Sequence, residues 1–254
     1  MTTLDVSLQI FRYKPGEQPH YDTFHVQVPD TAHVIDVLDA VWATCDRSLT
    51  FRRACHHSSC GTCGLRINGV EKLPCITRVT DVWNGHSPLR LDPLRNFPIV
   101  SDLVVDVSGF FERMSASDLE ITRDAEPDLP LTVEDSDELR SEPVKPPENL
   151  PRFGRFENCI ECGICISACP TMAADDKFLG PAALAAMYSE HQKTDDPDEA
   201  AHLLALANGE HGVWRCHSAF ECMEACPQAV DPAGKIMALR RELTTQRVKK
   251  LWRK

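Results

Sequence analysis

The sequence has no long apolar run. None of its 254 residues lies in a stretch that approaches the roughly 18 uninterrupted apolar residues of a membrane-spanning helix. The N-terminal residues Met1-Thr2-Thr3-Leu4-Asp5 also lack the basic start and the apolar stretch of a secretory signal. We therefore expect the chain to stay in a reducing compartment.

Several catalytic signatures are missing as well. The sequence contains no phosphate-binding glycine loop, no dinucleotide-binding fingerprint and no HExxH metal motif. We accordingly assign no catalytic residue to this chain.

Cysteine, by contrast, is abundant, with 12 residues in the chain. Thiol pools keep cysteines reduced inside cells, so clustered cysteines there indicate metal binding rather than disulfides. The spacing of the cysteines then decides which metal centre is expected.

Residues 159–226 contain one cysteine run twice. The first copy reads Cys159-x2-Cys162-x2-Cys165-x3-Cys169-Pro170, and the second reads Cys216-x2-Ala219-x2-Cys222-x3-Cys226-Pro227. The fourth cysteine of such a run binds the other cluster in two-cluster ferredoxins. The first site is therefore a [4Fe–4S] site with four thiolates, from Cys159, Cys162, Cys165 and Cys226. The second has three thiolates, Cys169, Cys216 and Cys222, and a [3Fe–4S] cluster is expected because Ala219 occupies the fourth position.

A different cysteine pattern lies in the first half of the chain. The spacing C-x4-C-x2-C with a later cysteine is that of plant-type [2Fe–2S] ferredoxins. It is present at Cys55, Cys60, Cys63 and Cys75. A four-cysteine zinc site is the alternative, but such sites usually use two C-x2-C pairs, and only one is present here. Cys45 fits no ligand pattern, and we expect it to be a small buried residue.

The residues around this pattern predict a small sheet crossed by a helix. Alternating apolar residues on both sides of Pro15-Gly16 indicate a hairpin, and Asn68-Gly69 favours a second one. Between them, apolar residues at helical spacing from Val34 to Val41 predict one helix, which Asp30 or Thr31 can cap. These elements predict a β-grasp ferredoxin domain.

The charge and proline content divide the chain into two domains. Residues 118–148 are strongly acidic and rich in proline, which indicates a linker. After it, Gly180-Pro181, Asp196-Pro197 and Asp231-Pro232 each predict the start of a helix. We predict an α+β protein with an N-terminal β-grasp [2Fe–2S] ferredoxin-like domain at 1–112, a linker at 113–150, and a mainly α-helical, two-cluster bacterial ferredoxin-like domain at 151–254.

These motifs resemble the iron–sulfur subunit of succinate dehydrogenase and fumarate reductase. The resemblance also includes Asp102-Leu103-Val104-Val105-Asp106 and Lys177-Phe178-Leu179-Gly180-Pro181, and it covers nearly the whole chain. It implies an electron-transfer subunit that passes single electrons from FAD in a flavoprotein subunit through three clusters to a quinone. The catalytic dicarboxylate site would lie on that partner, so the chain would be enzymatic only within a complex.

The resemblance also implies a place for the chain. Integral membrane anchor subunits would hold it as a peripheral protein on the cytoplasmic side of the cell membrane, and nucleic acid is not among the expected partners. Pro170, His217 and Ala219 are expected near the quinone, which would bind at the interface with the anchor.

Two segments depart from the family pattern. Thr171-Met172-Ala173-Ala174 replaces the tryptophans that many members have after the first Cys-Pro, which favours a different quinone, such as menaquinone. His56-His57-Ser58 replaces an Arg-acid-Gly run after the first cysteine of the [2Fe–2S] loop, and we expect the histidines to tune the potential or contact a neighbouring subunit.

Three functions are therefore open from the sequence. The preferred one is the electron-transfer subunit of a membrane-bound succinate:quinone oxidoreductase. The second is the iron–sulfur subunit of a quinol:fumarate reductase, or an adaptor for another flavoprotein. The third is a zinc-stabilised scaffold that only binds partners.

Overall fold

A computed structural model describes residues 2–115 and 158–252 of the chain. The predicted linker therefore lies, from residue 116 onward, outside the described residues. Within these two ranges, no helix combines the length and the apolar character that crossing a bilayer requires.

The alternating residues at the N-terminus form the predicted hairpin. Strand β1, Thr3–Arg12, pairs antiparallel with β2, His20–Pro29. Val6, Leu8 and Ile10 of β1 are fully buried, because alternate side chains of a strand face the same side of the sheet. These side chains form part of the apolar core of the first domain.

A mixed five-stranded sheet contains this hairpin and has the order β2-β1-β5-β3-β4. The remaining strands of the sheet are β3, Leu65–Ile67, β4, Val70–Lys72, and β5, Leu89–Asp92. A separate antiparallel pair follows, formed by β6, Ile99–Ser101, and β7, Val104–Val105. The sheet with one crossing helix confirms the predicted ferredoxin-like first domain.

The turn between β3 and β4 is also as predicted. Asn68 and Gly69 have φ values of 51° and 85°. A type I′ turn needs a positive φ at both central residues, which explains this residue pair.

Helix α1, Val34–Thr44, packs its apolar side on the sheet, but the predicted cap and the predicted burial of Cys45 are wrong. The helix begins after His33, whose backbone N–H donates to Asp36 Oδ2 at 2.8 Å. Val34 N donates to the Thr77 carbonyl oxygen, so a distant segment fixes where the helix starts. Cys45 follows the last turn and is exposed.

The second half of the described chain is helical. Its central helix, Gly180–Lys193, is buried along most of its length and packs against three other helices. Its alanines explain this, because small side chains let neighbouring helices approach closely. Within the described residues, the α-helices that follow α1 are α2, Val79–Val82, α3, Ser108–Ser115, α4, Ile164–Ala168, α5, Pro170–Ala174, α6, Gly180–Lys193, α7, Pro197–Ala207, α8, Glu221–Glu224, and α9, Pro232–Trp252.

The three predicted helix starts are confirmed. Gly180, Pro197 and Pro232 begin α6, α7 and α9. At α7, the Asp196 side chain accepts a hydrogen bond of 2.9 Å from Asp198 N, which caps the first turn. Helix α3 runs through the predicted boundary at 112/113, and its Phe110 and Met114 pack in the apolar core of the second domain. The domain limits therefore remain predictions.

A buried carboxylate, that of Asp102, connects three segments of the first domain. Asp102 is 0% exposed and accepts hydrogen bonds from Arg12 Nε at 3.2 Å and Lys14 Nζ at 2.8 Å. The backbone N–H groups of Tyr13 and Thr50 donate to it at 3.0 and 2.8 Å. Burial acts to raise the pKa of Asp102, but these donors outweigh it and hold the pKa below its usual value.

We predict that Asp102→Asn destabilises the first domain by about 3 kcal/mol, because Arg12 and Lys14 lose a buried partner. The thermal midpoint of that domain should fall by about 10 °C or more, as measured by anaerobic differential scanning calorimetry at neutral pH. Asp5→Asn, at an exposed position of β1, is the matched control and should leave the midpoint nearly unchanged. Equal midpoints for the two variants would contradict the role of Asp102.

Candidate cluster-binding sites

Three cysteines of the first site, Cys55, Cys60 and Cys63, lie in the loop between α1 and β3, and the fourth, Cys75, follows β4. The four thiols form two pairs, since Cys55 hydrogen-bonds with Cys60 and Cys63 with Cys75. In a [2Fe–2S] cluster each iron takes two thiolates beside the bridging sulfides. This pairing therefore fits the group that the sequence predicts.

Backbone amides surround the sulfur of Cys55. The N–H groups of His57, Ser59 and Cys60 donate to it at 3.5, 3.3 and 3.4 Å. His56 and Ser58 have φ values of 61° and 64°, and such left-handed residues turn successive amides towards one side. Burial acts to raise the pKa of Cys55, but the amides outweigh it and lower the pKa to about 7. The loop thus stabilises a thiolate with no glycine at positions 56–58.

Cys63 and Cys75 are both buried and share a hydrogen bond. This bond, together with burial, raises the pKa of Cys63, and the same bond lowers the pKa of Cys75 to about 6. Iron binds the thiolate, so cluster binding at this pair is coupled to proton loss.

Three cysteines of the second site lie at the start of the second domain, and the fourth, Cys226, follows α8. Burial raises the pKa of Cys162 to about 12, and the nearby thiols of Cys159 and Cys226 add to the effect. Burial also raises the pKa of Cys165 well above its usual value, with contributions from the same neighbours. The four thiols line a mostly apolar pocket with Ile160, Pro227 and Val230. The fold thus brings together the four cysteines that the sequence assigns to one site, including Cys226 from the second cysteine run.

The third site contains the three remaining cysteines of the double run. Burial raises the pKa of Cys222 to about 12, with further contributions from the Cys169 and Cys216 thiols. Ala219 is exposed and lies in the loop between Cys216 and α8. The thiols therefore approach one another in the predicted groups, while the assignment of each to a cluster remains a prediction.

Among the residues that the structure describes, no three Cys, His, Asp or Glu side chains lie close enough to hold one metal ion.

The first and second sites are in direct contact. Gly61, next to Cys60, lies so close to the second site that an added Cβ would be 2.9 Å from Cys162 Cβ and nearer still to the Ile160 carbonyl oxygen. Gln228 Nε2, two residues after Cys226, donates to the Ser58 carbonyl and hydroxyl oxygens at 2.9 Å each. The two cysteine loops thus form one continuous structure.

The second and third sites are joined by α4. Cys165 lies in this helix and Cys169 follows its end. The thiol of Cys222, in the third site, is also among the groups that raise the pKa of Cys165. The second site therefore contacts both the first and the third.

The predicted quinone-site residues are all exposed beside the third site. Pro170 begins α5, and the N–H of His217 donates to Thr171 Oγ1 at 3.4 Å, which places the loop of His217 and Ala219 against that helix. Their contact with a quinone remains a prediction. Three exposed apolar residues flank the same cysteines in sequence and were not predicted: Trp214, Phe220 and Met223. The sequence could have indicated this surface, because each of these apolar residues lies within two positions of a predicted ligand cysteine.

The two histidines of the first loop are exposed. His57 Nδ1 contacts the carbonyl oxygen of Cys55, which holds the ring against the loop backbone. His56 precedes it in the left-handed conformation. Both side chains lie where a neighbouring subunit could contact them, and their role remains a prediction.

Two families of known domains match the chain. The family described as "2Fe-2S iron-sulfur cluster binding domain" matches residues 7–112. The family described as "4Fe-4S dicluster domain" matches residues 155–230. These matches confirm the predicted order of a [2Fe–2S] ferredoxin domain and a two-cluster domain.

Whole-length relatives agree with these matches. The fumarate reductase iron–sulfur subunit of Haemophilus influenzae is 36% identical over 91% of this chain and 90% of its own length. A mitochondrial succinate dehydrogenase [ubiquinone] iron–sulfur subunit of Oryza sativa is 32% identical over 91% of this chain and 73% of its own length. Among solved structures, a chain of the Mycobacterium smegmatis Sdh1 complex in the apo form superposes with a TM-score of 0.77 and 25% identity, covering 96% of this chain and 98% of that one.

We predict that Gly61→Ala separates the first two sites. The new Cβ collides with the backbone of Ile160, and φ at this position is +66°, so the loop has to move. Electron paramagnetic resonance (EPR) of the reduced protein should show a [2Fe–2S] signal whose magnetic interaction with the second centre is weaker.

The control for this variant is Gly16→Ala. Gly16 also has a positive φ, of +91°, but nothing lies within 4 Å of an added Cβ. It should cost only the backbone strain of about 1 kcal/mol and leave the interaction unchanged. The same spectrum for both variants would show that the Gly61 contact does not set the spacing.

We predict that Ala219→Cys supplies a fourth thiolate to the third site. The site should then convert towards [4Fe–4S], which reduces the EPR signal of an oxidised [3Fe–4S] cluster at low temperature. An undiminished signal in a variant that keeps its other centres would mean that position 219 is not the missing ligand.

Proposed function

The chain belongs to the family of iron–sulfur subunits of fumarate reductases and succinate dehydrogenases, and from this premise we propose that it relays single electrons between FAD and a quinone. The FAD would be bound by a flavoprotein subunit and the quinone at the interface with a membrane anchor. The proposal rests on the contacts between successive cysteine sites. The loop at 55–64 contacts the second site, and α4 joins the second site to Cys169 of the third.

The proposed ligands form three sets. The [2Fe–2S] set is Cys55, Cys60, Cys63 and Cys75. The [4Fe–4S] set is Cys159, Cys162, Cys165 and Cys226, and the [3Fe–4S] set is Cys169, Cys216 and Cys222. When bound, these clusters supply carriers that accept one electron at a time, whereas flavin and quinone each exchange two.

The chain's own residues would hold the centres at fixed spacing and exclude water from them. The Gly61 contact would set the distance between the first and second centres, and α4 would set the distance between the second and third. Apolar neighbours bury the thiols of the last two sites, and the backbone amides around Cys55 stabilise negative charge on sulfur. Burial and N–H···S hydrogen bonds are the means by which a protein sets cluster potentials.

Electrons would enter at one end of the protein and leave at the other. Cys60 and both loop histidines are exposed at the first site, which suits contact with the flavoprotein. The apolar surface of Trp214, Phe220 and Met223 flanks the third site and suits an integral membrane anchor. With these partners, the chain would be a peripheral protein on the cytoplasmic side of the cell membrane.

The preferred reaction is succinate oxidation with reduction of a quinone. The residues after Pro170 lack the tryptophans of many family members, and small Ala173 and Ala174 are exposed there, which favours a quinone such as menaquinone. The second candidate, quinol:fumarate reduction, is favoured by the identity of 36% to a fumarate reductase subunit, against 32% to a succinate dehydrogenase subunit.

We predict that the native complex, purified anaerobically through a tag on this chain, contains a flavoprotein with FAD and a membrane anchor. It should reduce a quinone in the presence of succinate, and a menaquinone analogue and a ubiquinone analogue should be compared. The reverse assay, with quinol and fumarate, measures which direction is faster. A chain that purifies without flavin and supports neither reaction would contradict the proposed function.

A further inference from the structure

Helix α4 of the second domain is held at both ends by residues 95–97 of the first domain. The ring of Phe97 lies against Gly163, where an added Cβ would be 2.9 Å from the ring. Gly163 is the residue before the helix, so Phe97 fixes its start. At the other end, Asn96 Nδ2 donates to three carbonyl oxygens, those of Ile166 at 2.7 Å, Ser167 at 3.3 Å and Cys169 at 3.1 Å.

A separate set of polar contacts holds the side chain of Ser167, near the end of the same helix. Arg95 N donates to Ser167 Oγ at 2.8 Å, and Ser167 Oγ donates to Glu71 Oε1 at 2.9 Å. The guanidinium of Arg95 also binds Glu71 at 2.9 Å. Ser167 is 1% exposed and Glu71 7%, so their hydrogen bond is buried in the interface between the domains, whereas the Arg95 side chain is half exposed.

Asn96 differs from these residues in what it contacts. The last carbonyl groups of a helix have no partner within the helix, and Asn96 supplies one from another domain. It does so from the left-handed conformation, with φ of 63°, which asparagine adopts more readily than most residues. The side chain therefore fixes the backbone that leads from α4 to Cys169.

The orientation of that backbone determines what reaches the sulfur of Cys169. Cys169 directly precedes α5, so the N–H groups of Thr171 and Met172 lie in the first turn of that helix, without a partner in the helix, and near the Cys169 sulfur. The carbonyl that Asn96 binds belongs to the peptide joining Cys169 to Pro170. A change at this carbonyl tilts the start of α5 and moves those two N–H groups relative to the sulfur.

We propose that Asn96 is a positioning residue through which the first domain sets the reduction potential of the third centre. The inference rests on the proposed function, because it requires Cys169 to bind a cluster. Hydrogen bonds to a cluster's sulfurs stabilise the added negative charge of the reduced state and so raise the potential. The potential of the third centre thus depends on a side chain of the [2Fe–2S] domain.

Two variants test this in the assembled complex. Asn96→Asp keeps the size of the side chain but places a carboxylate against three carbonyl oxygens. Asn96→Gly removes the side chain and tolerates the positive φ. We expect the midpoint potential of the third centre to become more negative in both variants, while that of the [2Fe–2S] centre stays unchanged, in redox titrations followed by EPR.

Two control variants separate positioning from loss of stability. Ser167→Ala removes two hydrogen bonds from the same interface and should lower the thermal midpoint without shifting the third potential. Asn84→Asp changes an exposed asparagine of the same domain, whose Oδ1 accepts from His86 N at 3.0 Å, and should shift neither quantity.

The outcomes are distinct. Selective loss of the third centre in an Asn96 variant would support the proposal, because it means that Cys169 has moved. An unchanged third potential in both Asn96 variants, an equal shift in Ser167→Ala, or equal loss of all three centres would overturn it. Absence of a third centre from the wild-type protein would instead remove the proposed function on which the inference rests.

Discussion

The contact between the [2Fe–2S] loop and the second cysteine site is the constraint on which the rest of the structure depends. Electron transfer between centres becomes rapidly slower with distance, so two ferredoxin domains in one chain are useful only when their centres lie close together. Gly61 permits this because its position leaves no space for a side chain. Gln228 adds hydrogen bonds to Ser58 across the same contact.

The two domains support this contact in different ways. In the first, the sheet and the buried Asp102 fix the segments that flank the cysteine loop. In the second, α6 is buried among other helices and gives the short helix α4 a rigid base. Buried thiols with raised pKa values, such as those of Cys162 and Cys222, are neutral before iron binds. Assembly of the centres therefore releases protons and couples cluster binding to folding.

Much of this organisation could be predicted from the sequence, because local patterns determine it. Proline and glycine mark the helix starts, Asn68-Gly69 determines its turn, and cysteine spacing groups the thiols. The start of α1 and the exposure of Cys45 could not be predicted, since tertiary contacts with residue 77 and the position of the last helical turn decide them. The roles of Gly61 and Asn96 were hidden for the same reason, because their contacts lie about 70 to 100 residues away in sequence.

The central claim is that eleven thiolates bind three separate iron–sulfur centres, and a count of iron and acid-labile sulfide tests it most directly. Protein purified without exposure to oxygen should contain about nine irons and about ten sulfides per chain, as one [2Fe–2S], one [4Fe–4S] and one [3Fe–4S] cluster require. A colourless protein that contains zinc and no sulfide, or one whose iron accounts for only two centres, would contradict the account.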